Sequence, residues 1–193
     1  MSETLSRASA WSLLTEWVQS DSLRRHCLAV EASMRAMATA RGADVELWGL
    51  TGLLHDMDYE RFPDADTGHP RMAMAELEKL GQPPAMIRAI ASHADYLGVS
   101  RDSDLEKSLY AVDELSGFVV ACAYVRPQGI TGMTPKFVKK KLKTPAFAAA
   151  VSRDDIRIGA EELGVDLDEH IAFVIAALEP QAAALGIEGS ADA

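Results

Sequence analysis

The chain has 193 residues, of which 48% are hydrophobic and 25% charged, an ordinary composition for a single globular domain. Its formal net charge of −10 argues against binding to nucleic acid polymers or anionic membranes, because an acidic surface repels polyanions. This charge leaves room for a small phosphorylated substrate held in a local basic or metal-containing pocket.

Helical periodicity runs through nearly the whole chain, and no segment shows a convincing strand alternation. Abundant Ala, Leu, Met and Glu also favour helices. We predict an all-α fold, a helical bundle in one domain spanning residues 1–193, with a frayed tail from Gly186. In chain order, helices are predicted at about residues 8–19, 22–41, 45–56, 70–80, 84–93, 104–125, 136–143, 153–163 and 166–185.

Cys27 and Cys122 both lie in apolar helical stretches, so we expect buried thiols and no disulfide framework. The N-terminal segment lacks a basic region followed by an apolar run, and no uncharged stretch is long enough to span a bilayer. We therefore expect a cytoplasmic protein that does not contact membranes, and we leave its oligomeric state open.

The doublet His55-Asp56 closes an apolar helix in the string Gly-Leu-Leu-His-Asp. A charged carboxylate at the end of a buried helix is costly unless something compensates its charge, and a divalent cation is the natural compensation. Imidazole and carboxylate ligands together suit Fe, Mn, Co, Ni or Zn. Asp113 is a further candidate, because an acidic residue among apolar neighbours in mid-helix is rarely buried unless it is paired or binds a metal.

Each candidate has an ordinary alternative. A single histidine is more often a core or surface residue than a ligand, and Asp113 could equally lie on a solvated face. His170 follows an acidic string, and we expect it at the surface. The joint pattern carries the prediction of a metal site.

That joint pattern resembles the HD superfamily of metal-dependent phosphohydrolases, in particular its small HDIG-type members. The signature of the superfamily is a His on one helix, a His-Asp doublet ending a later helix and a distant Asp on a long helix. His26, His55-Asp56 and Asp113 match it in order. The resemblance implies an HD-domain bundle with its metal-binding core at about residues 22–127, followed by C-terminal helices at about 135–186.

Two more histidines, His69 and His93, resemble ligands of the binuclear branch of the superfamily. In that branch Asp56 would bridge two metals, and His69 and His93 would hold the second one. The alternative is a single metal, with both imidazoles hydrogen-bonding the substrate. The binuclear cyclic-dinucleotide phosphodiesterases carry a His-His doublet where this chain has His93-Ala94, and a Gly-Tyr-Pro motif that is absent here, so that activity is not predicted.

The resemblance implies hydrolysis of a nucleotide or another small phosphomonoester by a metal-activated water, with one or two divalent ions as cofactor. Asp56 and His93 are predicted to act in catalysis by holding the metals. Asp58 is predicted to orient the water or protonate the leaving oxygen, and Glu60 is a second candidate for that role. A basic run follows the core, and the predicted substrate-binding residues there are Arg126, Lys136 and Lys140.

Two other functions stay open. Di-iron oxygenases of the inositol and phosphonate oxygenase type share the same four-His, two-Asp ligand set. The compact interval from His55 to His69 favours hydrolysis over oxygenation. A non-catalytic ligand-sensing module is the second alternative, but degenerate members usually lose the doublet or the final Asp, and both persist here.

Overall fold

The computed structural model describes residues 4–190, and every regular element within that range is helical, which confirms the all-α prediction. The described residues form two compact units that divide at Leu109, within the sixth helix. No helix in this range combines the length and apolar character needed to cross a bilayer. The α-helices are α1 (Arg7–Trp17), α2 (Asp21–Arg41), α3 (Val45–Leu54), α4 (Arg71–Lys79), α5 (Pro84–His93), α6 (Asp104–Tyr124), α7 (Pro135–Leu142), α8 (Arg153–Leu163), α9 (Leu167–Leu178) and α10 (Ala182–Leu185).

Local capping chemistry sets many of these helix ends. Helix α2 ends at Gly42, whose φ of 65° is the left-handed conformation that glycine adopts without a steric penalty. Helix α6 begins with a capping box. The Glu106 carboxylate accepts from the Ser103 N–H at 3.1 Å, and the Ser103 hydroxyl accepts from the Glu106 N–H at 3.4 Å. Such caps can be recognised in the sequence, which is why most predicted bounds lie close to those observed. The helix predicted at 166–185 is instead divided into α9 and α10 by a 3₁₀ turn at Glu179–Gln181.

The first unit is built around a core in which α3 is the central element. Seven of its ten residues are buried, from Trp48 to Leu54, so this helix is apolar on all sides. Gly52 lets α2 approach closely, since a Cβ at this position would lie 2.9 Å from the Val30 carbonyl oxygen. The contact matters for the site because α2 carries His26 and the end of α3 carries His55.

Replacing Gly52 by Ala should destabilise the first unit by about 1–3 kcal/mol, the usual cost of forcing extra volume into a packed contact. The clash is with backbone, which can move only by shifting α2. Gly49→Ala is the matched control in the same helix, because its Cβ would meet the Arg35 side chain instead. Urea unfolding should rank Gly52→Ala well below Gly49→Ala in stability. Equal midpoints for the two variants would show that the close approach is not required.

The second unit contains the part of α6 after Leu109 and the helices that follow it. Helix α8 packs tightly on α6 at Gly159, where a Cβ would lie 2.6 Å from the Ala111 Cα. His170 on α9 is only 3% exposed, and its Nε2 lies 2.9 Å from the Ala111 carbonyl oxygen. The prediction of a surface His170 was therefore wrong, because the acidic residues before it form the exposed first turn of α9 and the imidazole lies on the opposite, buried face.

Burial lowers the pKa of His170, although its hydrogen bond to Ala111 acts in the opposite direction. The unfolded chain therefore binds a proton more readily than the folded one, so stability should fall as pH drops through the ordinary histidine value of about 6.5. Urea midpoints at pH 7.5 and 5.5 should differ more for the wild type than for His170→Gln, whose amide can still donate to Ala111. Both proteins should keep the same metal content, and metal loss in His170→Gln would show that the wrong imidazoles were chosen as ligands.

The C-terminal segment is ordered up to residue 190, against the expectation of a frayed tail. Ile187 is 1% exposed, and its carbonyl oxygen accepts from the Ile130 N–H at 2.9 Å. The Ser190 N–H donates to the Pro127 carbonyl at 2.7 Å. Backbone pairing with the 127–130 turn holds this segment, and the last part of the predicted tail lies outside the described residues.

Candidate metal centre

Four histidines of the first unit surround the carboxylate of Asp56. His26 projects from the second turn of α2, His55 caps α3, His69 precedes α4 and His93 is the last residue of α5. The sequence separations range up to 67 positions between His26 and His93, so only the tertiary fold brings these rings together. Neighbouring ring centroids in the series 26–55–93–69 are each 5.2 Å apart.

The imidazoles divide into two pairs, one on each oxygen of Asp56. The Nε2 atoms of His26 and His55 both lie 3.5 Å from Oδ2. The Nε2 atoms of His69 and His93 both lie 3.5 Å from Oδ1. The carboxylate is thus flanked symmetrically, which is the arrangement expected of a carboxylate that bridges two cations.

Two of the rings are oriented by the helices that they terminate. The His55 Nδ1 lies 2.8 Å from the Gly52 carbonyl oxygen, and the His93 Nδ1 lies 2.6 Å from the Ile90 carbonyl oxygen. The last carbonyls of a helix lack intrahelical partners, so an imidazole at the helix end can donate its Nδ1–H to them. A neutral ring that donates through Nδ1 keeps its Nε2 lone pair for another partner.

The third ring, that of His69, is oriented by a buried carboxylate. Asp58 is fully buried, and its Oδ1 lies 2.8 Å from the His69 Nδ1. Its other oxygen accepts from the Ala73 N–H at 2.8 Å, a donor in the first turn of α4 that has no intrahelical partner. Asp58 therefore connects the ring to the start of α4 and leaves its Nε2 directed at Asp56.

This geometry corrects the prediction that Asp58 orients a water or protonates a leaving group. A carboxylate with no exposed surface and both oxygens hydrogen-bonded does not reach a substrate, so Asp58 is a positioning residue for His69. Glu60 is also engaged elsewhere: its Oε2 accepts from the backbone N–H groups of Gln19 and Ser20 at 3.0 and 2.9 Å. It joins the α1–α2 connection to the turn that follows α3.

Gly68 allows the tight loop that positions His69 in the site. The His69 N–H donates to the Phe62 carbonyl at 2.7 Å, and the Gly68 N–H donates to the Asp64 carbonyl at 2.8 Å. A Cβ on Gly68 would lie 2.2 Å from the Phe62 oxygen, which leaves no room for any other residue. The short interval between His55 and His69 is therefore a compact, internally bonded loop.

The donor set fits a divalent transition metal. Without a cation, imidazole lone pairs would face an anionic carboxylate, an arrangement that is electrostatically unfavourable. Ligands held 2.0–2.2 Å from a common ion lie about 3–3.5 Å from each other, which agrees with the 3.3 Å between the Nε2 atoms of His26 and His55. His55, Asp56 and His93 also form a group of metal-ligating atoms within 4.8 Å of one another. The negative ends of α3 and α5 add a field that favours positive charge.

The remaining predicted site residues lie in the second unit. Asp113 is a half-buried residue of α6, and its role as a ligand stays a prediction. Arg126 donates to the carbonyls of Gly129 and Thr131 at 2.7 and 3.0 Å, and its contact with a substrate stays a prediction. Lys136 and Lys140 are exposed on α7, and their contact with a substrate also stays a prediction.

Two tyrosines beside His69 are residues that the sequence alone did not establish as part of the site. The Tyr59 ring meets the His69 ring edge-on, with centroids 5.2 Å apart. The Tyr96 hydroxyl donates to the His69 carbonyl at 2.8 Å. The sequence signal for both is position alone: Tyr59 comes three residues after Asp56, and Tyr96 comes three residues after His93.

A comparison with family models agrees with this centre, since residues 23–117 match the HD domain. The chain therefore belongs to the HD-domain family, whose members include many metal-dependent hydrolases. The matched range contains the four histidines and Asp56, and it ends within α6 just past Asp113. No curated protein and no solved structure matches the chain.

Proposed function

We propose that this protein is a metal-dependent phosphohydrolase that cleaves a small phosphate monoester at a binuclear centre. The observation that carries the proposal is the pairing of imidazoles on Asp56, with His26 and His55 beside one oxygen and His69 and His93 beside the other. One pair would hold each ion, and Asp56 would bridge them. The family resemblance adds Asp113 as a ligand of the His26–His55 ion.

Divalent ions at this centre would lower the pKa of a coordinated water and neutralise charge on phosphoryl oxygens. Other residues of the chain hold the metal-binding imidazoles in position. The carbonyls at the ends of α3 and α5 fix two of the rings, and Asp58 fixes His69. The His55 and Asp58 side chains are fully buried, whereas Asp56 is 15% and His26 23% exposed, so solvent reaches the centre at these two residues.

The test begins with elemental analysis of aerobically and anaerobically purified protein. Stripped protein is then reloaded separately with Mn, Co, Ni and Fe, and phosphate release is measured from p-nitrophenyl phosphate, AMP and glucose 6-phosphate. We expect about two ions per chain and metal-dependent phosphate release that needs no O₂. A shift of the thermal midpoint on reloading gives a readout of binding that does not depend on turnover.

The same experiment separates the two alternative functions. Iron-dependent O₂ uptake with a phosphonate or polyol, and no phosphate release, would identify an oxygenase. Tight binding of a phosphorylated ligand with no turnover under any metal would identify a sensing module. Either result would overturn the proposed hydrolase.

A further inference from the structure

Two half-exposed aromatic rings lie on the same side of the candidate metal centre. Tyr59 is 50% exposed and Tyr96 is 52% exposed. Single exposed aromatic residues are common on protein surfaces, but these two converge on one residue, His69, through its ring and its carbonyl. We call this pair, Tyr59 and Tyr96, the tyrosine rim.

Short backbone turns hold both rings of the tyrosine rim in place. Tyr59 comes three residues after Asp56, and its N–H donates to the Asp56 carbonyl at 3.1 Å. Tyr96 comes three residues after His93, in a 3₁₀ turn at Asp95–Leu97. Each tyrosine therefore follows a candidate ligand within one short turn. The contacts of the two side chains with His69 restrict their motion, which reduces the conformational entropy lost when a ligand stacks on them.

The exposed phenol rings of the rim suit a neutral planar group. A flat, uncharged ring can stack on a phenol face without an electrostatic penalty.

We propose that the tyrosine rim selects substrates by stacking against a planar unsaturated ring in the organic part of the ester. Phosphate esters that carry such a planar ring are then preferred over esters that lack one. This inference rests on the proposed hydrolase function and names its substrate class. Tyr59 and Tyr96 are the specificity-determining residues, and the metal centre handles the phosphate group that all such esters share.

The test compares AMP with ribose 5-phosphate, which carries a hydroxyl group in place of the base. The measured quantity is the ratio of kcat/KM for the two esters, because any loss of metal affects both substrates alike and cancels. We expect the wild type to prefer AMP, and Tyr59→Leu and Tyr96→Leu each to lower the ratio by about five- to a hundredfold, the range for loss of one base–aromatic stack. Tyr59→Phe and Tyr96→Phe keep the rings and should keep the ratio.

Tyr124 provides a matched control in the second unit. It is 51% exposed, and its hydroxyl donates to the Leu185 carbonyl at 3.1 Å, so it shares the exposure and hydrogen bonding of Tyr96. Tyr124→Leu should leave the ratio unchanged. Equal kcat/KM for the two esters in the wild type, or an unchanged ratio in both rim leucine variants, would overturn the proposal.

A calorimetric titration of the metal-loaded protein with AMP and ribose 5-phosphate keeps this inference separate from the proposed function. Suppose that neither ester is hydrolysed, that AMP binds with the lower Kd, and that the leucine variants remove this difference. The proposed hydrolase function is then wrong, and the proposed role of the tyrosine rim is supported. If both esters are hydrolysed but bind and react equally, the proposed role of the tyrosine rim is wrong and the proposed hydrolase function is supported.

Discussion

Asp56→Asn should lose bound metal and reduce phosphate release by more than about a hundredfold, beyond what loss of an outer-shell partner usually costs. Each oxygen of Asp56 lies 3.5 Å from two imidazole nitrogens, so the substitution removes the negative charge that both pairs share and presents an amide nitrogen to one of the pairs. An amide nitrogen has no lone pair to offer a metal and presents its hydrogens to the facing Nε2 atoms. Elemental analysis and phosphate release measure the two effects.

Asp66→Asn makes the same chemical change on an exposed side chain of the loop before His69. It should retain the wild-type metal content and activity, which isolates the effect of the site from the general effect of removing one negative charge. Wild-type metal content in Asp56→Asn would show that the carboxylate is not a ligand, and the binuclear assignment would then be abandoned.

Asp58→Asn should weaken metal binding or activity by about 10–100-fold, the usual cost of losing the group that orients a metal-binding histidine. Asp58 accepts from both the His69 Nδ1–H and the Ala73 N–H. Asparagine has one oxygen, so its NH₂ must face one of these two donors, and either the imidazole or the first turn of α4 loses its partner. Metal titration of the stripped protein measures the affinity, and heating measures the stability.

Glu60→Gln is the matched control, since this carboxylate also accepts two hydrogen bonds, in its case both from backbone N–H groups, and lies two residues further along the chain. It is exposed, so water can replace a lost hydrogen bond, and metal affinity should be unchanged. A His69 ring that keeps full metal affinity in Asp58→Asn would mean that the loop alone orients it. Equal losses in Asp58→Asn and Glu60→Gln would mean that the effect is one of stability.

The positions of helix ends could be predicted because the interactions that stop a helix are local. The capping box at Ser103 and Glu106 and the left-handed glycine at Gly42 involve residues at most four positions apart. The burial of Cys27 and Cys122 followed in the same way from apolar surroundings along one helix face. The burial of His170 did not, because it depends on a contact with Ala111, 59 positions away in the sequence.

The sequence by itself determined the all-helical fold, the membership of the HD-domain family and which histidines are candidate ligands, because residue types, spacing and capping are properties of short segments. The tertiary structure decided which atoms face each other. It places two imidazoles beside each Asp56 oxygen, and it places the Asp58 carboxylate against the Nδ1 atom of His69. The physical reason is that direction and burial depend on how α2, α3 and α5 pack, and packing joins residues that no local pattern connects.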